Sequence, residues 1–253
     1  MTDVLTRDDF LSFDGVRIGW HELGSGRPIL LLHGLFSSGE MNWRRYGAAA
    51  EIASAGYRVI MPDFRAHGVS AAPHEASAYP VDVLSMDIEA LVKHLGLHDF
   101  DLAGYSLGAR TAARLVVRGM APGRLILSGM GLTGLIGGGD RAQWFLNVIA
   151  NADSFAPGTA EAAAAAFMKA NNIDSAAVAH VLRSQVSTPV EAIAAITTRT
   201  LVLCGDRDND NGSAADLALQ LPNAALVEIP GNHMSAVTKP DFGAAIAAWL
   251  QHA

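Results

Sequence analysis

The stretch Asp101-Leu-Ala-Gly-Tyr-Ser-Leu-Gly-Ala-Arg110 decides how the rest of the chain is read. An apolar run ends in Gly104-Tyr105-Ser106-Leu107-Gly108, and a helical pattern follows at once. Gly-x-Ser-x-Gly at a strand-to-helix turn holds its serine in a strained conformation, with the hydroxyl clear of the sheet. The two glycines remove side chains that would collide with the neighbouring strand and helix. The serine also stands at a helix N-terminus, where free N–H groups favour the negative charge of an acyl-transfer intermediate. Ser106 is therefore the candidate nucleophile.

The composition bounds what surrounds that turn. A chain of 253 residues makes one large α/β domain with an insertion, or two small domains. Half of the residues are hydrophobic, enough for a sizeable core. Charged residues make up 17% and the net charge is -7, which argues against a nucleic-acid-binding surface. The single cysteine, Cys204, excludes an intrachain disulfide. It lies in the apolar run Leu201-Val-Leu-Cys204 and reads as a buried structural thiol. Met1 to Asp9 carries Asp3, Asp8 and Asp9 and no apolar h-region, so a signal peptide is not expected there. No apolar run approaches the length of a membrane span. The expectation is a soluble, cytoplasmic protein with no membrane and no nucleic-acid partner.

Upstream of the serine, Phe10–Phe13 and Val16–Leu23 flank Asp14-Gly15 and read as a hairpin. Gly24 to Pro28 is a turn. Ile29–Leu32 is a short apolar strand covered on both faces, and it ends at His33-Gly34. Ser37 and Glu40 have the spacing of a capping box, with a helix running to about Ser54. Tyr57–Met61 is a strand. Pro80 opens a helix whose residues Val83, Leu84, Ile88, Leu91, Val92 and Leu95 recur at helical spacing. Downstream, Arg124–Ser128 is a strand, and then the alternation stops. From Gly131 to about Ile196 the pattern holds only helices: around Trp144–Ala150, Ala160–Ala170, Ser175–Ser184 and after Pro189. This reads as a helical cap (131–196) inserted into a core formed by 1–130 and 197–253. Strands return at Thr200–Cys204 and Ala225–Ile229, separated by a helix near Ala214–Gln220. Asp241–Leu250 closes the chain as a helix. Strands alternating with helices imply a mostly parallel sheet with helices on both faces.

In an open parallel sheet the ligand site lies beyond the carboxyl ends of the strands. Reading only the residues that follow each strand leaves His33-Gly34-Leu35-Phe36, Asp63, Ser106, Ser128, Asp206-Arg-Asp208-Asn-Asp210 and Gly231-Asn-His233-Met234. A serine, an acid and a histidine thus stand at strand ends in the order Ser…Asp…His. Asp206, Asp208 and Asp210 are all candidates for the acid. As an EF-hand the run fails, because the sixth and twelfth positions from Asp206 are Asn211 and Leu217.

Over essentially its whole length the sequence resembles the α/β-hydrolase superfamily. The resemblance is carried by His33-Gly34, Asp63…Arg65…His67-Gly68…Ser70, Gly104-Tyr-Ser-Leu-Gly108, Gly205-Asp-Arg-Asp208 and Gly231-Asn-His233. It implies a central sheet of about eight strands with a cap after strand six, where the alternation breaks. It implies Ser106 as nucleophile and His233 as the base that takes the serine proton and returns it to the leaving group. The pattern Gly-x-x-Asp favours Asp208 as the acid behind His233, with Asp206 second. His33 matches the oxyanion-loop His-Gly. The oxyanion hole is expected from backbone N–H groups of Leu107 and of Leu35 or Phe36. No metal or cofactor is expected. The partner is a small molecule held between cap and sheet, with Trp144, Phe145 and Met234 as pocket candidates, joined by Phe36, Phe155, Phe167 and Met168.

The reading this favours is a serine hydrolase of small or medium-sized carboxylic esters or lactones. A serine at 106 excludes the Asp-nucleophile dehalogenases and epoxide hydrolases. A C–C bond hydrolase, or a lyase of the menaquinone-pathway type, is the alternative on the same triad. Arg110, two residues after Gly108, is similar to that lyase. A non-catalytic ligand receptor is the reading from another class. Gly129-Met-Gly131-Leu-Thr-Gly134 is a literal G-x-G-x-x-G. Gly137-Gly-Gly139 argues against the helix that a dinucleotide site needs, so the segment is expected to be a flexible exit into the cap. Arg110 is expected in a structural ion pair.

Overall fold

The computed structural model describes residues 5–137 and 139–252. Met1 to Val4, at the head of the acidic stretch, and Gly138, in the triple glycine, lie outside the described residues. The strands are β1 (Thr6–Leu11), β2 (Arg17–Gly24), β3 (Arg27–Leu32), β4 (Tyr57–Pro62), β5 (Asp101–Tyr105), β6 (Arg124–Ser128), β7 (Arg199–Gly205) and β8 (Ala224–Ile229). They form one eight-stranded sheet in the order β1-β2-β4-β3-β5-β6-β7-β8. β1 and β2 are antiparallel to each other, and β2 is antiparallel to β4. Every other neighbouring pair is parallel.

The apolar runs supply both faces of this sheet. Successive residues of a strand point to opposite sides. Accordingly Leu30, Leu32, Leu102, Leu125 and Leu127 join one buried cluster, and Ile29, Leu31, Ala103 and Ile126 join the other. Helices α1 (Ala48–Ser54) and α10 (Pro240–Gln251) pack on one face. Helices α2 (Val83–His94) and α3 (Leu107–Val117) cover the other. Between β6 and β7 lie α4 (Leu132–Ile136), α5 (Gly139–Ala150), α6 (Ala160–Ala170), α7 (Ser175–Arg183) and α8 (Val190–Ala194). Helices α4 to α7 form the insertion after strand six. The short α8 packs back against α3 and against α9 (Ala214–Gln220).

Four local expectations are corrected. The first strand begins at Thr6 and ends at Leu11 rather than spanning Phe10–Phe13. The helix after Gly39 is two pieces, a π-helical turn Glu40–Arg44 and then α1, broken at Gly47. The capping box does not form: Ser38, not Ser37, accepts from Met41 N–H at 3.1 Å, and Glu40 pairs with Arg44. A helix, α4, does begin inside the glycine motif after β6. The motif still holds no dinucleotide cradle, because the backbone of Gly212 fills it. A Cβ on Gly131 would lie 2.2 Å from the Gly212 carbonyl oxygen.

Arg65 ties the β4 loop to the hairpin. Its guanidinium is fully buried, bound to Asp14 (2.7 Å) and Asp87 (2.7 Å) and to the Ala78 carbonyl. Asp87 also accepts from Ser12 Oγ at 2.6 Å. A buried cation is tolerable only with such partners, and they draw β1–β2, α2 and the β4 loop together.

The turn between β5 and α3 depends on close backbone approach. A Cβ at Gly104 would stand 2.2 Å from the Gly108 carbonyl, and one at Gly108 would stand 2.1 Å from the Leu32 carbonyl oxygen. Both obstacles are backbone. Gly108→Ala is therefore expected to lower stability by about 3 kcal/mol or more, read as a fall in the urea midpoint. A midpoint within error of wild type would show that the turn does not need this contact.

Candidate active site

Ser106 sits between the last residue of β5 and the first of α3, at φ 54° and ψ -111°. A non-glycine residue there is strained. The strain is held by the Ser106 N–H bond to Ser128 O at 2.9 Å and by the glycine contacts beneath it. The Ser106 hydroxyl donates to His233 Nε2 at 3.1 Å, and His233 Nδ1–H donates to Asp208 Oδ2 at 2.8 Å. Three residues from the ends of β5, β7 and β8 thus form one chain of hydrogen bonds.

The other acids are engaged elsewhere. Asp206 accepts from Gly231 N–H at 2.8 Å and lies half-exposed beside Arg207. Asp210 pairs with Arg141 of α5 at 3.3 Å. Asp63 is buried and accepts from the backbone of Gly39 (2.7 Å) and Val69 (2.8 Å). At Asp208 burial pushes the carboxyl up. The hydrogen bond and charge of His233, with the Asp210 N–H, outweigh it and hold the group below its ordinary value. Cys204 lies beneath, its thiol directed at the Asp208 carbonyl (3.6 Å) and pushed up to about 12, chiefly by burial.

Of the expected oxyanion donors, Phe36 is corrected. Its N–H is directed at His67 Nε2 at 3.3 Å, so it is not free for a substrate oxygen. Leu35 and Leu107 N–H donate to no acceptor among the described residues. Sequence reasoning missed the support behind that loop. His33 Nδ1–H donates to Gly34 O (2.7 Å) while its Nε2 accepts from Phe64 N–H (2.9 Å). His67 Nδ1–H donates to Arg65 O (3.0 Å). Both rings are buried, 5.1 Å apart. Burial pushes His33 down to about 4 and His67 down to about 3, the latter also repelled by His33. Asn42, from the π-helical turn, accepts from Gly34 N–H at 3.0 Å, and Tyr105 OH donates to the His233 carbonyl.

Trp144, Phe145 and Met234 all line a cavity of about 340 Å³ that opens onto Ser106 and His233. Phe36 and Phe167 join them. Phe155 and Met168 do not, Met168 being buried in the core. Tyr46, Met41, Ala160, Ala163 and Ala164 were missed. Residues 160, 163, 164 and 167 share one helix face, a spacing legible in the Ala-rich segment. Arg110 has no carboxylate partner among the described residues, which corrects the expected ion pair. It donates to carbonyls of Gly134, Gly137 (2.9 Å) and Val186 (3.4 Å). No three His, Cys, Asp or Glu side chains converge as a metal site among the described residues. No described helix is long and apolar enough to cross a membrane.

Residues 27–125 match the family described as alpha/beta hydrolase fold. A thermophilic esterase from Thermogutta terrifontis superposes with a TM-score of 0.79, at 21% identity over 98% of both chains. The chain has the α/β-hydrolase fold. A hydrolase from Pseudomonas aeruginosa PA01 superposes at 0.78, with 20% identity over 97% of this chain and 98% of that one. Among curated sequences, a non-heme haloperoxidase of Rhodococcus erythropolis is 38% identical over 105 residues, 42% of this chain and 36% of its own. The bifunctional epoxide hydrolase 2 of Sus scrofa is 37% identical over 94 residues, 37% of this chain and 16% of its own. The alignments thus span about a third of the haloperoxidase and less of the epoxide hydrolase. Within this α/β-hydrolase fold, the family-model match falls on the part of the chain that carries Ser106.

Two outcomes follow from the geometry. Asp208→Asn leaves an acceptor for His233 but no charge, and is expected to slow fluorophosphonate labelling of Ser106 by about 10³–10⁴-fold. Asp206→Asn keeps the acceptor for Gly231 and is expected to change it only a few-fold; the reverse ranking would move the acid to Asp206. The second outcome concerns pH. His33 and His67 titrate near 6.5 when unfolded but at about 4 and about 3 when folded. From about pH 6.5 down to 4 the unfolded chain takes up protons that the folded chain refuses. Stability is therefore expected to fall with falling pH in that window, by up to about 1.4 kcal/mol per pH unit for each ring. Urea midpoints across the window measure this, and His67→Gln should flatten the slope.

Proposed function

We propose that the protein is a serine hydrolase that cleaves small or medium-sized carboxylic esters or lactones through an acyl-enzyme. The observation that carries this is the continuous chain Asp208–His233–Ser106, with bonds of 2.8 and 3.1 Å. As Ser106 Oγ attacks the acyl carbon, its proton passes to His233 Nε2. The Asp208 carboxylate stabilises the imidazolium and holds its Nδ1–H. The Leu35 and Leu107 N–H groups receive the oxyanion. His233 then returns the proton to the departing oxygen, and water repeats the sequence on the acyl-serine. The apolar wall of Trp144, Phe145, Phe167 and Met234 suits an organic group of medium size.

The relatives' printed names also include epoxide hydrolases and haloperoxidases. Epoxide opening through a covalent ester needs a carboxylate nucleophile, and the hydroxyl of Ser106 stands in its place.

Fluorophosphonate labelling of wild type against Ser106→Ala tests the reading, followed by a panel of esters, lactones and vinylogous diketones. Wild type is expected to label and to turn over esters or lactones. Ser106→Ala is expected to lose labelling and about 10⁶-fold in turnover. Labelling that survives the substitution would sink the proposal. Turnover confined to the diketones would reassign the enzyme to C–C bond cleavage.

A further inference from the structure

Ser106 borders two cavities. The larger, about 340 Å³, is apolar and has His233 in its wall. The smaller, about 40 Å³, lies under the cap and has no contact with His233. Its wall includes Leu35, Leu107, Arg110, Arg141 and Gln185. Leu107 borders the small cavity alone and Leu35 borders both, while the proton donor borders only the large one.

Chemistry assigns the two cavities to different ends of the substrate. The leaving oxygen must take its proton from His233 Nε2, so the alcohol portion lies on the large, apolar side. The remainder of the acyl group then points into the small cavity. A water needs about 10–15 Å³ of such space, so the small cavity holds about three water-sized bodies, the bulk of a carboxylate.

Its charge matches that occupant. The Arg110 side chain is buried and is satisfied only by the carbonyls of Gly134, Gly137 and Val186; its Nε–H donates to no described group. Burial lowers it to about 10, still a cation at neutral pH. Arg141, on α5 over the ring of Phe145, borders both cavities. Its carboxylate partner, Asp210, borders the large cavity and not the small one. Two guanidiniums thus face a small space in which no described carboxylate stands. Arg110 is the one buried without an anionic partner among the described residues, which is costly, and an anionic substrate group relieves that cost on binding.

Resting on the hydrolase reading, we infer that the preferred substrate is the half-ester of a short dicarboxylic acid with a bulky apolar alcohol. Its free carboxylate is received between Arg110 and Arg141.

The test compares monobenzyl succinate with benzyl 4-methylpentanoate, in which an isopropyl group replaces the carboxylate at nearly the same shape. Wild type is expected to show at least a tenfold higher kcat/KM for the half-ester. Arg141→Gln, on a partly exposed side chain, and Arg110→Gln are each expected to reduce that ratio about tenfold. Fluorophosphonate labelling of each variant reports whether the Ser106 site is still assembled. A wild-type ratio at or below one overturns the inference and leaves the hydrolase reading standing. So does an unchanged ratio in Arg141→Gln, or intact labelling with neither ester turned over. Absence of both turnover and Ser106-dependent labelling overturns the two together.

Discussion

Two backbone contacts under Ser106 hold the site together. Gly104 and Gly108 let α3 approach β5 and β3 closer than any side chain permits, with Leu32 O the immediate neighbour of Gly108. That approach forces Ser106 to φ 54° and leaves its hydroxyl standing above the sheet edge. It also aims the first turn of α3, with its unpaired N–H groups, at the same point in space. The proposed nucleophile and one of the proposed oxyanion donors are therefore consequences of a single packing constraint. The sheet supplies the stiffness: every residue of β5 is buried, between β3 and β6 on either side.

The second proposed oxyanion donor, Leu35, is fixed by different means. The loop after β3 has no strand neighbour, and two neutral imidazoles do the holding. His33 and His67 each donate from Nδ1 to a carbonyl and accept at Nε2 from a peptide N–H. Only a neutral ring can do both, so burial and function agree in keeping these histidines uncharged. By accepting from Phe36, His67 sets the peptide plane that follows Leu35. The Asn42 amide does the same for Gly34 from the π-helical turn, a helix irregularity often found at functional positions.

Legibility in the sequence followed the range of the interactions. The strands were readable because Ile29–Leu32 and Leu201–Cys204 are apolar without a break, as only doubly covered strands are. The rule that sites gather at carboxyl ends of parallel strands then narrowed the chain to Ser106, His233 and the acids Asp206, Asp208 and Asp210, and the resemblance favoured Asp208. The π-helical turn at Glu40–Arg44 was not readable, since its residues carry no periodicity that separates it from an α-helix. Nor was the engagement of Phe36 N–H, because a peptide plane is set by a histidine 31 residues away. The first strand was misplaced because Thr6–Asp9 are exposed and polar, and edge pairing with β2 needs no apolar residues.

Arg110 shows how far local reading can mislead at a charged residue. A buried arginine one turn along a helix ordinarily implies an acid nearby. Here carbonyls from both crossings between core and cap, Gly134 and Gly137 on the way out and Val186 on the way back, take that role. Carbonyl dipoles satisfy donors but do not neutralise the charge, so the cation keeps its field. A carboxylate at that position would have quenched it and filled the small cavity. With carbonyls instead, the cap is fastened to the nucleophile helix and the positive potential beside Ser106 survives. The same potential favours an oxyanion developing at Leu35 and Leu107, so the cap's anchor and the electrostatics of the proposed reaction are one arrangement of atoms.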